Sequence, residues 1–318
     1  MIKKLFVCRS YYHIYCAIKS SDQTSKTTIL CIDYQLDRNK LLILKERIES
    51  IFPYINVIVS STRYKDIKSI VNDDFNEIYF FHWVVYKMPE MYIYYSKSKK
   101  CNFFMIEDGV NHYGGIQKSI INKKIYLKYL INYLLIRRKD LVLRKNVKRV
   151  YVTYLDKYPN YMKEKLSPLK MILRKDLDSE LLNVFDVNLS NISNLKSAIV
   201  LTQPLSEDGF ITESYKIKIY EDTVHELVKS GYHVFFKSHP REKTKYKFSN
   251  EVTILDRDFP AEILNFTDLN IRLAVAVSSG SLDTINADYK VRLAPDFFKI
   301  VDYKKMDVNV KERLSDFL

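Results

Sequence analysis

At 318 residues and 37.8 kDa, the chain is long enough for two domains of ordinary size, each with its own core. Hydrophobic residues at 47% and charged residues at 28% give the balance of a globular protein, and neither low-complexity tracts nor a fixed-period repeat is present. The formal charge of +13 allows an acidic partner or surface.

The start carries the apolar character of a signal peptide only as far as Cys8, because Arg9 interrupts the run before a secretory core forms. Lys3–Cys8 is expected to be a strand, followed by a polar turn and a helix from about Tyr12. Thr27–Ile32 is a second apolar run, with a charged helix after it from about Arg38 to Phe52. Ile55–Val59, Glu77–Phe81 and Cys101–Ile106 complete five strands alternating with helix-length segments, the pattern of a parallel sheet. The longest apolar stretch, Ile125 to Ile136, contains Lys128 and Asn132 and is too short to span a bilayer, so the chain is expected in the cytoplasm. Residues 117–150 hold eleven Lys and Arg against one acid, Asp140, interleaved with apolar residues as in a basic amphipathic helix. A solvated face over a core, an anionic membrane surface and a nucleic-acid patch are its three readings. The abundant Tyr and Phe lie mostly in core-like runs, which weighs against nucleic acid.

A charged, weakly periodic stretch from about Pro159 to Leu195 reads as the connection between domains 1–190 and 191–318. A second alternation follows: strand Ala198–Thr202, a helix from Thr212 to Lys229 closed by Gly231, strands Tyr232–Phe236 and Val252–Leu255, and a short helix Pro260–Asn265. Leu273–Val277 is the most apolar strand of this half, and Ser278-Ser279-Gly280-Ser281 leads into a helix near Leu282. Two such halves predict an α/β, GT-B-like pair of Rossmann-like domains, with the site in the cleft between them and its residues just after strands. The four cysteines (Cys8, Cys16, Cys31, Cys101) show no C-x-x-C spacing and are expected to be buried thiols.

Two of the six glycines follow Glu-Asp, at Glu107-Asp108-Gly109 and Glu207-Asp208-Gly209. A carboxylate at a strand end, beside a glycine that permits a tight turn, serves as a general base or simply forms an Asp-Gly turn. His239-Pro240, flanked by Lys237 and Arg241, ends a strand and suits contact with a phosphate. The loop Ser278–Ser281 reads either as an anion site at a helix N-terminus or as an N-cap without a ligand. Asp256-Arg257-Asp258 and Asp176-Leu177-Asp178 both fit D-x-D, a pattern of little meaning among 38 acids, and no metal is expected.

The ordered set Glu-Asp-Gly, His-Pro and Ser-Ser resembles the bacterial sialyltransferases, closest to the glycosyltransferase family 52 group. Leu201-Thr-Gln-Pro-Leu-Ser-Glu-Asp-Gly209 and Val7-Cys-Arg-Ser-Tyr-Tyr-His13 share that resemblance. It implies inverting, metal-independent and cofactor-free transfer from a CMP-sialic acid donor to a hydroxyl of a lipooligosaccharide or capsule glycan acceptor. By it Asp108 deprotonates the acceptor with Glu107 beside it, and His239 assists departure of CMP, with Pro240 and Lys237 in the donor-binding site. Ser278, Ser279, Gly280 and Ser281 hold the phosphate, and Glu262 binds the ribose hydroxyls. Asp208 remains the alternative base. Another nucleotide sugar such as CMP-Kdo and a non-catalytic basic binding protein are the competing functions. A peripheral membrane partner through residues 117–150 and a homodimer are allowed.

Overall fold

The computed structural model describes residues 1–33, 36–61, 67, 70, 73–81, 90–97, 100–108, 145–158, 160–189, 196–248, 251–297 and 306–318. The chain divides into two compact units, Met1–Glu180 and Leu181–Leu318.

Unit 1 is built on seven parallel strands: β1 (Ile2–Cys8), β2 (Ser25–Ile32), β3 (Ile55–Ser60), β4 (Glu77–Phe80), β5 (Asn102–Ile106), β6 (Val147–Val152) and β7 (Leu166–Pro168). They lie in the order β3-β2-β1-β4-β5-β6-β7, so the winding reverses between β1 and β4. Central strands of such a sheet are covered on both faces, which is why Leu5–Cys8 is a continuous buried run rather than an alternating one. Leu5, Val7, Ile78, Phe80, Phe103, Met105 and Val150 share one core cluster. At the alternate positions the rings of Phe6, Tyr79, Phe104 and Tyr151 stack across four strands, at 4.3, 4.8 and 6.3 Å between centroids. Helix α1 (Tyr11–Lys19) starts where the Ser10 hydroxyl accepts the His13 amide, an N-cap two residues past β1. Helix α2 (Arg38–Ile51) is capped by Asp37 and buries Leu41, Leu44 and Ile48. Helix α3 (Glu90–Lys97) opens on the buried Glu90. The four cysteines are buried, all in this unit.

Helix α4 (Asp178–Phe185) begins just before the division between units and buries Leu181, Val184 and Phe185. The five parallel strands of unit 2 are β8 (Ser197–Leu201), β9 (His233–Lys237), β10 (Val252–Leu255), β11 (Ile271–Ala276) and β12 (Tyr289–Arg292). Their order, β10-β9-β8-β11-β12, reverses between β8 and β11. Helix α5 (Glu213–Lys229) is capped by Thr212 and followed by Gly231 at φ +79°, a conformation that favours glycine. Ala261–Phe266 is a 3-10 turn, α6 (Ser281–Thr284) a single turn and α7 (Val310–Leu314) a short C-terminal helix. Each unit is therefore Rossmann-like, the α/β class expected of each half.

Several expectations are corrected. The stretch read as a connection carries β7, the edge strand of the first sheet, with Leu169 and Leu177 buried; its three-residue strand is too short to show a period. Part of the basic segment is strand, not helix: in β6, Val147, Val150 and Val152 are buried while Lys148 and Arg149 are exposed. Residues 117–144, which carry the rest of that segment, lie outside the described residues. The helix expected after Ser281 lasts one turn, and β12 and α7 were not anticipated. Among the described residues no helix is long and apolar enough to cross a membrane.

Candidate active site

In doubly wound sheets ligands bind beyond the strand carboxyl ends, at the point where the winding reverses. In unit 1 that point is marked by a buried histidine. His13, on the first turn of α1, is 1% exposed and its ring stacks on Phe81 just past β4, with 4.0 Å between centroids. Its Nε2 lies 2.9 Å from Oδ1 of Asp108, two residues past β5, and the Asp108 side chain is 32% exposed. The backbone N–H of Arg9 donates to His13 Nδ1 at 3.1 Å. Since an amide can only donate, Nδ1 is the unprotonated nitrogen, and in neutral His13 the proton sits on Nε2, directed at Asp108. Arg9 is itself braced by a two-pronged pair with buried Glu90, Nη2 lying 2.7 Å from Oε2. Glu107 does different work. Its Oε2 accepts the Thr153 amide at 2.9 Å and its Oε1 the Thr153 hydroxyl, so the carboxylate ties the end of β5 to the end of β6.

The second Glu-Asp-Gly is part of an ionic frame within unit 2. Asp208 meets Arg241 in two parallel hydrogen bonds of 2.7 and 3.0 Å. Glu207 accepts from Lys216 Nζ and from the Lys243 amide, both at 2.7 Å. Burial alone would raise the Glu207 carboxyl, but these donors outweigh it and hold it down to about 2. Lys216 is wholly buried on α5 and also meets wholly buried Glu242 at 3.2 Å. Glu242 accepts the hydroxyls of Thr202 and Tyr246 as well. This frame shapes the loop after β9. The His239 amide donates to Thr202 Oγ1 at 3.0 Å, and the Glu242 amide closes a turn on the His239 carbonyl with Pro240 at its second position. The Arg241 amide donates to His239 Nδ1 at 3.2 Å, so here too the neutral ring carries its proton on Nε2.

Beside this loop, Lys237 donates to the Asp256 carbonyl at 2.8 Å and lies 3.7 Å above the Phe259 ring. Burial pulls its amine down to about 7 against the opposing pull of Asp256, Glu262 and Asp258. Glu262 accepts the Thr284 hydroxyl at 2.6 Å through Oε1, while its buried Oε2 has no hydrogen-bond partner. Burial raises the Glu262 carboxyl, with Thr284 opposing.

The winding reversal of unit 2 is bridged by Gln203, whose Oε1 accepts the Ser278 amide at 2.6 Å. The Ser279 hydroxyl accepts the Ser281 amide at 3.3 Å, and Arg292 donates to the Ser279 carbonyl at 2.9 Å. Gly280 caps α6 with helical backbone angles. A one-turn helix contributes little dipole, so any anion held here depends on the loop's own donors rather than on a helix terminus.

The alpha-2,8-polysialyltransferase family matches residues 20–292, spanning most of both units. The chain belongs to that family. A Haemophilus influenzae protein described as uncharacterized is 32% identical over 193 residues, 57% of this chain and 58% of its own length. The chain thus spans under two thirds of that relative. Among solved structures, E. coli ADP-heptose LPS heptosyltransferase II covers 89% of this chain and 80% of its own at 11% identity and a TM-score of 0.38. The N-terminal domain of Candida albicans trehalose-6-phosphate phosphatase covers 88% and 78% at 8% identity and a TM-score of 0.35. Likenesses this distant assign nothing. The sialyltransferase kinship read from the motifs is supported; family 52 is not the group that the match names.

In this polysialyltransferase-family chain, the sequence-derived residues of unit 2 gather at one sheet edge: Lys237 ends β9, and His239, Pro240, Glu262 and the Ser278–Ser281 loop follow β9, β10 or β11. Sequence reasoning missed the residues that fix them. Lys216 offered a signal, because it lies on the stripe with Ile219, Tyr220 and Thr223, where a cation needs buried acids. His13, which holds Asp108 in unit 1, offered another, as a strongly polar side chain on the buried first turn of a helix directly after a strand. Thr153 and Gln203 carried none, since a hydroxyl or amide becomes informative only once its partner is known. Among the described residues no group of three or more His, Cys, Asp or Glu lies together as a metal site would need; Asp256 of one D-x-D accepts the Asp258 amide, and Asp176 of the other pairs with Arg174.

Proposed function

We propose that this chain transfers sialic acid from CMP-sialic acid to a glycan hydroxyl with inversion, and that the hydroxyl is O8 of a terminal sialic acid on a surface lipooligosaccharide or capsule chain. The linkage and polymer class follow the family to which the chain belongs. What carries the donor half is the carboxyl edge of the unit 2 sheet. There a buried carboxylate oxygen without a donor, Glu262 Oε2, lies on the same edge as a histidine whose Nε2 bears the proton and a hydroxyl-lined loop. A buried acceptor left unmatched is costly unless a ligand supplies the donor, and ribose hydroxyls are such donors.

In the proposed step the bond between the sialic acid anomeric carbon and the CMP oxygen breaks, and its electron pair leaves with the phosphate. His239 donates a hydrogen bond from Nε2 to that oxygen as its charge develops, and Ser278–Ser281 share in holding the charge. The acceptor oxygen bonds to the oxocarbenium-like carbon from the opposite face, and its proton passes to Asp108. Asp208, held in a two-pronged bond by Arg241, is the weaker candidate for base. Glu107, occupied by Thr153, serves by placing Asp108. No metal takes part, so transfer should persist in EDTA.

CMP should raise the melting temperature where CDP and UDP do not, and CMP-sialic acid should extend an α-2,8-linked sialic acid oligomer. His239→Ala should lower turnover about a hundredfold, and a donor with a better leaving group should recover part of that loss. Stabilisation by UDP instead of CMP, or transfer of Kdo in place of sialic acid, would replace the donor; equal loss with good and poor leaving groups would remove His239 from the chemistry.

A further inference from the structure

We infer that His13 is the positioning residue of the proposed base: it donates from Nε2 to one oxygen of Asp108 and so holds that carboxylate ionised and oriented. The inference rests on Asp108 acting as the base. It is carried by three contacts that leave the imidazole one arrangement. The Arg9 amide occupies Nδ1 at 3.1 Å. The Phe81 ring lies parallel to the imidazole, with an interplanar angle of 7°. The Ser10 hydroxyl caps the His13 amide at 3.2 Å, fixing the turn that carries the side chain.

With Nδ1 lying against an N–H donor, His13 cannot gain a second proton there without breaking that contact. It therefore donates to Asp108 but does not relay a proton onward. The roles are inverted relative to a nucleophile–histidine–carboxylate triad: the carboxylate reacts and the imidazole holds it. A hydrogen bond to the charged form favours that form, so His13 lets Asp108 remain ionised at lower pH than it otherwise would. Two charged groups beside this pair are Glu107, held by Thr153, and Arg9, paired with Glu90.

The test compares pH–rate profiles of His13→Phe, His13→Gln and Asp108→Asn with the wild type, using CMP-sialic acid and an α-2,8-linked sialic acid oligomer. His13→Phe keeps the ring stack and loses the donor. It should lower kcat roughly tenfold to a hundredfold and move the acid limb of kcat up by about one pH unit, with CMP affinity unchanged. His13→Gln places an amide N–H near the lost Nε2 and should restore the acid limb most of the way. Nitrogen-15 shifts of His13 in the wild type give a readout that needs no variant to fold: the proton should reside on Nε2. A wild-type acid limb in His13→Phe, a His13→Gln profile no better than that of His13→Phe, or a proton found on Nδ1 would each overturn the inference. Asp108→Asn separates the two levels. If it stays active, the base is elsewhere and the proposed function loses that residue; if it is inactive while His13→Phe matches the wild type, only the role of His13 fails.

Discussion

Lys237 shows how one side chain at this sheet edge couples charge to stability. Its ammonium is buried over Phe259 with a backbone carbonyl as hydrogen-bond acceptor, and its amine is held down to about 7 from an ordinary 10.5. Between those values the unfolded chain binds a proton that the folded chain does not, so stability rises with pH through that window and the penalty is fully present below it. Urea unfolding should therefore show wild-type protein gaining on the order of 2 kcal/mol from pH 7 to pH 9, and Lys237→Met should flatten that rise. An equal rise in the variant would trace the effect to another group. Bound phosphate would reverse the balance by favouring the charged amine, which makes donor binding and proton uptake linked events at this residue.

At the scale of elements, the loop after β9 owes its shape to α5. Lys216 reaches from the helix to two acids, Glu207 on the loop after β8 and Glu242 on the loop after β9. Removing the cation leaves both acids short of a partner, one of them wholly buried, so Lys216→Met should destabilise the protein by about 3 kcal/mol or more. Replacing Arg241 by Gln, which breaks a half-exposed pair with Asp208, should cost about 1 kcal/mol or less. Denaturant midpoints of the two variants check the contrast, and similar losses would mean that the buried frame is not what holds the loop. The two Glu-Asp-Gly segments, identical as text, are separated by these surroundings. Asp108 faces a histidine and Asp208 an arginine, a difference decided by residues up to 95 positions away. Central strands such as β1, β8 and β11 were legible because burial on both faces makes them continuous apolar runs. β7 and β12 were not, being short edges with half-polar sequences, and α6 was overread because Gly-Ser before an apolar residue looks the same whether one turn follows or four. Ligand-facing side chains were legible from their place after strands, whereas the side chains that hold them belong to distant segments and had no local signature.

For the whole molecule, charge is the property that the fold leaves least explained. Of the net +13, a large share comes from residues 117–150, where eleven cations face one acid. We propose that this segment draws the protein to an anionic membrane surface, where its glycan acceptor is anchored. A cation near such a surface contributes roughly 1 kcal/mol at low salt, so replacing Arg137, Arg138 and Lys139 by Gln should weaken co-sedimentation with phosphatidylserine vesicles and leave transfer to a soluble acceptor intact. Binding that ignores both the substitution and added salt would make the segment an ordinary solvated face.

The cysteines have a use that follows from where they sit. All four belong to unit 1 and are buried, and burial pushes the thiols of Cys8, Cys31 and Cys101 up, that of Cys31 to about 12. A buried, protonated thiol hardly reacts with an alkylating reagent, whereas an exposed one in an opened chain does. Unit 2 has none, so alkylation followed by intact mass becomes a clock for the opening of unit 1 alone. Timed against backbone amide exchange in β8 and β11, it would tell whether the two sheets open in a single event or in turn.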